Sequence, residues 1–323
     1  MHHAQALKSR FAEPTAQSLI SVLVLSWNTS RATLACLDSL PGSVDDGTRY
    51  EVIVVDNASR DGSAEALSLR TDIRLIRNAE NRGYAEAVNQ AYSEARGDYI
   101  LLLNSDVEFA AGGLSALLRF LIERDDVAGV GPLYLNPDGS PQQHHYRLPT
   151  FAMTLANTSR FLARVPPFSR GVRRYRMLDD DFSRPRPVPQ PSASCLLLRK
   201  SVLPADALMD ERYPIYFNDV ALAHRLAGEG HALWVTPGSV VVHEHGASTR
   251  MLGGALARHH IGAHVRFLMA TQPAYRVALF QSLVFVQKTL LIALRRPRAL
   301  SFRDLMKALR GDPGPLPQAP TIA

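Results

Sequence analysis

The chain has 323 residues, 46% of them hydrophobic and 20% charged, which is enough apolar material for one large core or a core with a small appendage. Its two cysteines, Cys36 and Cys195, exclude a disulfide framework and read as reduced, buried thiols of a cytosolic protein. The formal charge of +6 suits an anionic partner, but the basic residues crowd into Arg160–Arg186 and Arg295–Arg310 without the interleaved aromatics of a base-stacking surface, so nucleic acid is not an expected partner.

Residues 1–18 lack a continuous apolar run and are predicted to be a disordered lead-in. Short apolar runs then alternate with helical patterns. Leu19–Leu25 is a buried strand ended by Ser26, Trp27 and Asn28, and Thr29 and Ser30 can cap a helix that runs to Leu40. Glu51–Val55 is a second strand, closed by Asp56 and Asn57 and followed by a helix over 62–70. Ile73–Ile76 is a third, with a helix over 83–95, and Tyr99–Leu103 a fourth, ending at Asn104, Ser105 and Asp106. A helix over 111–123 and the apolar run Val127–Val130 follow. Strand and helix alternating in this way predict an α/β fold: a mostly parallel sheet covered on both faces. Ligands of such sheets bind beyond the carboxyl ends of the strands, where this sequence collects its polar residues.

Residues 137–191 are rich in Pro and Arg and are predicted to be an irregular insert with one helix over 152–162. Its triplet Asp179, Asp180 and Asp181 resembles a metal site but lies among arginines, and neutralising Arg173, Arg174 and Arg176 is the plainer role. Regular structure resumes at Cys195–Leu198. A helix is predicted over 218–229, strands over 232–235 and 240–243, helices from Met251 to Leu309, and a disordered tail over 311–323.

Six segments, SVLVLSWN, VIVVDNASRDGS, NAENRGYAEAVNQA, DYILLLNSDV, MDERYPIYFNDVALAHRLAGEGH and VVVHEHGAS, resemble in their order the family 2 glycosyltransferases. The likeness spans about Ser21 to Ser248 and is nearest to the rhamnosyltransferase branch of cell-surface polysaccharide assembly. It implies a GT-A fold over 19–250, with the 137–191 insert on the acceptor side and a helical region over 251–310. It further implies a nucleotide-diphosphate sugar donor (dTDP-rhamnose first, UDP-sugars next) and a glycan or polyprenyl-linked acceptor.

A diphosphate leaving group needs its charge neutralised, and a divalent cation, Mg²⁺ or Mn²⁺, held by a carboxylate can do this. Asp106, at the end of a buried strand in Asn104-Ser105-Asp106, is placed for that task and matches the family's metal-binding element. His243 matches the family's His-x-x-Gly-x-Ser pattern and is the expected second ligand, with His245 one residue out of step. The likeness makes Asp56 a contact to a uracil or thymine imide. Trp27, Asn28 and Asn57 are expected to line the nucleotide site, and Asn81, Arg82 and Gly83, at a strand–helix junction, to meet phosphate. Asp219, at a helix start, matches the base that deprotonates the acceptor hydroxyl; one base and one metal imply single displacement with inversion. Asn218 stands where the family usually has Glu, Ala221 where Asp is frequent, and Ser194 at an acceptor-side turn that lacks the family's Gly. These departures leave a non-catalytic sugar-binding relative as one alternative. A sugar-phosphate nucleotidyltransferase is the other, although SVLVLSWNTS lacks the Gly-rich basic loop it would need.

Val277–Leu294 approaches the length of a membrane span but is interrupted by Gln281, Ser282, Lys288 and Thr289. It fits a helix lying on the inner face of the cytoplasmic membrane, with Arg295, Arg296 and Arg298 at the headgroups, or one packed on the core or in a homodimer.

Overall fold

The computed structural model describes residues 18–157, 162–164, 166, 168–244, 255–294 and 300–317. The first five strands are β1 (Leu19–Ser26), β2 (Arg49–Asp56), β3 (Arg74–Arg77), β4 (Tyr99–Asn104) and β5 (Val107–Phe109). They are followed by β6 (Val127–Leu135), the two-residue strands β7 (Pro141–Gln142), β8 (His145–Tyr146), β9 (Arg186–Pro187) and β10 (Gln190–Pro191), then β11 (Cys195–Arg199) and β12 (Ala232–His243). The helices are α1 (Ser30–Ser39), α2 (Ser63–Ser68), α3 (Gly83–Ser93), α4 (Gly113–Glu123), α5 (Phe151–Asn157), α6 (Phe168–Tyr175), α7 (Asn218–Gly228), α8 (Ala255–Thr271), α9 (Ala274–Ala293) and α10 (Phe302–Leu309).

The central sheet runs β3-β2-β1-β4-β11-β6-β12-β5. Its first four strands are parallel, and β11 enters antiparallel between β4 and β6, which is itself parallel to β12. Alternate residues of the inner strands feed two cores. Ile20, Val22, Val24 and Leu101 pack with Leu37 of α1 and Leu114 and Leu117 of α4. Leu23, Val55, Ile100 and Leu102 face Val88 and Ala91 of α3 and Leu222 and Leu226 of α7. Burial on both faces is why these strands read as continuous apolar runs. Each large side chain so buried contributes about 1.5–3 kcal/mol. Cys36 and Cys195 are free and fully buried in this core, and burial pushes both thiol ionisations up.

The observed elements depart from expectation in four places. β5 was not predicted: three residues between turn-formers carry too little periodicity to register alone, yet they pair antiparallel with β12. The predicted strands over 232–235 and 240–243 are one strand, because Pro237 and Gly238 make a register shift rather than a turn. In the insert, the helix expected over 152–162 is described as α5 up to Asn157, the next four residues lying outside the described ones, and α6 is additional. Residues 311–317, predicted to be disordered, lie against α8 and α3. Arg258 pairs with Asp312 at 2.8 Å, His259 Nε2 donates to the Pro315 carbonyl at 3.0 Å, and Asn81 Nδ2 donates to that of Pro317 at 2.8 Å. Prolines argue against a helix there, but an extended segment held by side-chain bonds is compatible with them.

The C-terminal helices share an apolar cluster of their own. Val277, Phe280 and Val284 form the packed face of α9, against Val265 and Leu268 of α8 and Leu305 and Leu309 of α10. Gln281 lies toward this side and donates to the Leu309 carbonyl at 2.7 Å. Tyr275, Leu279, Leu283, Val286, Leu290 and Leu294 are exposed on the other side.

Candidate active site

The ends of β1, β2 and β4, the start of α7 and the end of β12 surround one cavity of about 430 Å³. Of the residues singled out in the sequence, Trp27, Asn57, Asn81, Gly83, Asn104 and Ser105 line it. So do Asp106, Ser194, Asn218, Asp219 and His243. Asp106 and Asp219, 113 positions apart in the chain, therefore open onto a common space. Tyr84 stands within electrostatic reach of both: burial first, then the charges of Asp219 and Asp106, push its phenol ionisation up.

Asp106 occupies the two-residue link between β4 and β5. The antiparallel register sets His243 opposite Val107, and Glu244 N–H donates to the Asp106 carbonyl at 2.9 Å. This pairing brings His243 Nε2 to 3.4 Å from Asp106 Oδ1 in a nearly closed setting. Two donors bound cis at about 2.1 Å to one cation would lie about 3.0 Å apart, so the pair fits a shared divalent ion, and its oxygen-plus-imidazole character suits Mn²⁺ better than Mg²⁺. Among the described residues no group of three His, Cys, Asp or Glu forms a metal cluster. His245 lies outside the described residues.

Asp219 sits in the first turn of α7. Phe217, before that helix, holds a left-handed backbone (φ 69°), a strained conformation for a non-glycine residue that sets the angle at which the helix begins. Asn218 accepts from the Asp219 N–H at 2.7 Å and donates to the Ile215 carbonyl at 2.9 Å, so the residue in place of the family's Glu ties the turn together without adding charge. Burial raises the Asp219 carboxyl above its usual range. Bonds from the Val220 N–H at 2.8 Å and from Gln190 Nε2 at 3.3 Å pull the other way.

At the other end, Asp56 closes β2 and is buried; Oδ1 accepts from the Ser59 N–H at 3.1 Å, and burial raises its ionisation. Asp56 Oδ2, Trp27 Nε1 and Asn28 Nδ2 are buried polar atoms with no hydrogen-bond partner among the described residues. They lie at the ends of adjacent strands, where Ser26 pairs with Asp56. Three such atoms together are unusual in a folded interior, where buried polar groups are normally satisfied.

Two expectations need correcting. Arg82 does not line the cavity: its half-exposed side chain pairs with Glu86 one helical turn on, at 2.9 Å. The α3 N-terminus is not open to phosphate either. Gly83 N–H donates to Asn81 Oδ1 at 2.9 Å, and the Tyr84 and Ala85 N–H groups both meet the Pro214 carbonyl, at 2.6 and 3.4 Å. Gly83, at φ +81°, permits this approach, since a Cβ there would lie 2.8 Å from the Pro214 carbonyl oxygen. Asn81 and Asn57 are likewise engaged, with Asn57 Nδ2 donating to Asn81 Oδ1 at 2.8 Å and Asn57 Oδ1 accepting from the Arg82 N–H at 3.0 Å. Asn28 and Asp56 are not in the cavity wall itself; with Trp27, which is, they make up the buried polar group at its β1–β2 end. The Asp179–Asp181 triplet takes up arginines: Asp179 pairs with Arg173, and Asp180 with Arg147 at 3.2 Å and Arg186 at 2.7 Å.

Sequence reading missed Tyr84, His144, Tyr146, Tyr216 and Pro317 in the cavity wall, and Gln142 and Gln190 behind it. The run QQHHY at 142–146 was the available signal, a cluster of hydrogen-bonding residues inside an otherwise Pro- and Arg-rich stretch.

The chain belongs to glycosyl transferase family 2, whose model matches residues 21–204, and is thus a glycosyltransferase rather than a nucleotidyltransferase. It is 31% identical over 229 residues to the N-acetylglucosaminyl-diphospho-decaprenol L-rhamnosyltransferase of Mycobacterium tuberculosis, an overlap of 66% of this chain and 73% of that enzyme. It is 30% identical over 149 residues, 43% of this chain and 58% of the relative, to the putative teichuronic acid biosynthesis glycosyltransferase TuaG of Bacillus subtilis. Among solved structures it resembles GalNAc-T7 with UDP, GalNAc and Mn²⁺ (TM-score 0.59, 15% identity, 92% of this chain and 54% of that one). It also resembles the mannosyltransferase PcManGT of Pyrobaculum calidifontis with GDP-Man and Mn²⁺ (TM-score 0.50, 16% identity, 96% and 92%). The fold is GT-A, as the motif order implied.

Proposed function

We propose that the chain is an inverting, metal-dependent transferase that moves L-rhamnose from dTDP-rhamnose to a hydroxyl of a lipid-linked glycan in cell-surface polysaccharide assembly. The observation that carries this reading is the shared cavity of Asp106 and Asp219. The likeness to a rhamnosyltransferase of a diphospho-decaprenol substrate supports the choice of sugar and acceptor. Asp106 and His243 would hold a divalent cation, which supplies neutralisation of the charge that builds on the departing diphosphate. Asp56 Oδ2 accepts the imide N–H of thymine, and Trp27 and Asn28 complete the base site with their buried polar atoms. Asp219 takes the proton of the acceptor hydroxyl as its oxygen bonds the anomeric carbon from the face opposite the leaving diphosphate. A carboxyl whose proton affinity is raised by burial is better matched to that task than an exposed one.

A melting-temperature screen of nucleotide sugars tests the donor. dTDP-rhamnose with Mn²⁺ is expected to give the largest rise, about 2.7 kcal/mol of stabilisation at a hundredfold excess over Kd. A larger rise with a UDP- or GDP-sugar would overturn the choice of donor.

The lipid-linked acceptor places the enzyme at a bilayer, and we assign the exposed face of α9 to the cytoplasmic membrane's inner surface. The helix is long and apolar enough to cross a membrane, yet one side is packed in the protein. Its free face, from Tyr275 to Leu294, suits an interfacial helix. The following segment, 295–310, carries six basic residues against one acidic, complementary to anionic headgroups; Arg295, Arg296 and Arg298 lie outside the described residues. Flotation with phosphatidylglycerol vesicles is expected for the wild type and not for Leu279→Ser/Leu290→Ser. An unbound wild type that sediments as a dimer would assign the face to a second copy instead.

A further inference from the structure

His243 is gripped by a side chain from the insert. Gln142, on β7, lies at the register position of Tyr134 of β6, the strand that neighbours β12. Its Nε2 donates to the Asn136 side-chain oxygen at 2.8 Å and to the His243 backbone carbonyl at 3.0 Å. Those two acceptors fix which end of the amide is nitrogen, so Oε1 is the atom facing His243 Nδ1 at 2.7 Å. An amide oxygen can only accept, so Nδ1 carries the hydrogen. The neutral imidazole then has its lone pair on Nε2, the nitrogen that faces Asp106 Oδ1 at 3.4 Å. The ring is held in plane by its neighbours as well, with the His144 ring at 4.6 Å and that of Tyr134 at 5.9 Å.

We propose that Gln142 is a positioning residue that locks His243 in its Nδ1–H tautomer and aims the Nε2 lone pair at the cation shared with Asp106. The proposal rests on the metal reading above and adds a residue that touches neither donor sugar nor cation. Without Gln142, the ring could place its hydrogen on Nε2 and donate it to Asp106, which would occupy both groups with each other. Outer partners of this kind commonly tune metal affinity by about 10–100-fold.

Two measurements separate the parts of the claim. In metal-free protein, long-range ¹H–¹⁵N correlation of the His243 ring, assigned by its absence from His243→Asn, is expected to report the Nδ1–H tautomer in the wild type and Gln142→Glu. Gln142→Leu is expected to shift toward Nε2–H. Electron paramagnetic resonance of free Mn²⁺, titrated with dTDP present, should give an affinity about 10–100-fold weaker in Gln142→Leu and near wild type in Gln142→Glu, which keeps the acceptor. A wild-type ring found as Nε2–H overturns the proposal whether or not either variant folds. Equal Mn²⁺ affinity in folded wild type and Gln142→Leu overturns it while sparing the metal reading. A wild type that binds no Mn²⁺ with dTDP overturns both.

Discussion

Asp219→Asn is expected to lower kcat for sugar transfer by about 10²–10⁴-fold while donor binding, measured with Mn²⁺ present, stays at the wild-type level. The amide cannot accept the acceptor's proton, yet it can still receive the Val220 N–H, and Gln190 can turn its own amide to match the new donor. In the wild type, kcat should fall as pH is lowered through the raised ionisation of Asp219, and that limb should be missing from the residual activity of the variant. Stability should move the opposite way. A carboxyl whose ionisation is raised on folding binds its proton more tightly in the native state than in the unfolded chain. The native state therefore loses stability as pH climbs from the unfolded value, about 4, through the folded one. Asn removes this cost, so the variant should melt at or above the wild type at neutral pH, with the advantage vanishing in acid. Loss of donor affinity in step with kcat would count against Asp219 as the base.

Asp106→Ala is expected to abolish the Mn²⁺-dependent part of donor binding and to reduce transfer by about 10³-fold or more, since a bound cation contributes several kcal/mol toward a developing anionic charge. Fold stability should change little, because Asp106 lies in the link between β4 and β5 and its carbonyl, which accepts from Glu244, is kept in the variant. Calorimetric titration of dTDP with and without Mn²⁺ checks this directly: the wild type should show a large metal-dependent gain and the variant none. Retained metal dependence in Asp106→Ala would assign the cation to other ligands and leave the shared cavity without its proposed chemistry.

The parts of the site that the sequence made legible are those that strand ends expose. Asp106, Asp56 and Trp27 follow unbroken apolar runs, where a change of character marks the mouth of a parallel sheet, and Asp219 opens a helix with clear periodicity. His243 could be placed only by family pattern; the reason it meets Asp106 is β5, a three-residue strand too short to carry a signal. Arg82 stands at a strand–helix junction but also at the ordinary separation of a helix ion pair from Glu86, and it is the ion pair that the structure shows. At the α3 N-terminus the Tyr84 and Ala85 N–H groups are satisfied by Pro214, a partner 130 residues downstream of Tyr84 that no local pattern announces. Gln142, His144 and Tyr146 sit in a stretch without periodicity, and their meeting with β12 is a product of tertiary pairing.

The burial of Cys36 and Cys195 has a practical consequence for testing whether α9 meets a bilayer. Both sulfurs are shielded from solvent and burial opposes the thiolate form that alkylating reagents attack, so the native fold is expected to be silent toward maleimides. A single cysteine introduced at Leu290, which is 58% exposed, could then carry a polarity-sensitive fluorophore on an otherwise unlabelled molecule. Its emission colour would report whether this helix passes from water into an oily phase when vesicles are added, in real time and without altering either carboxylate of the cavity.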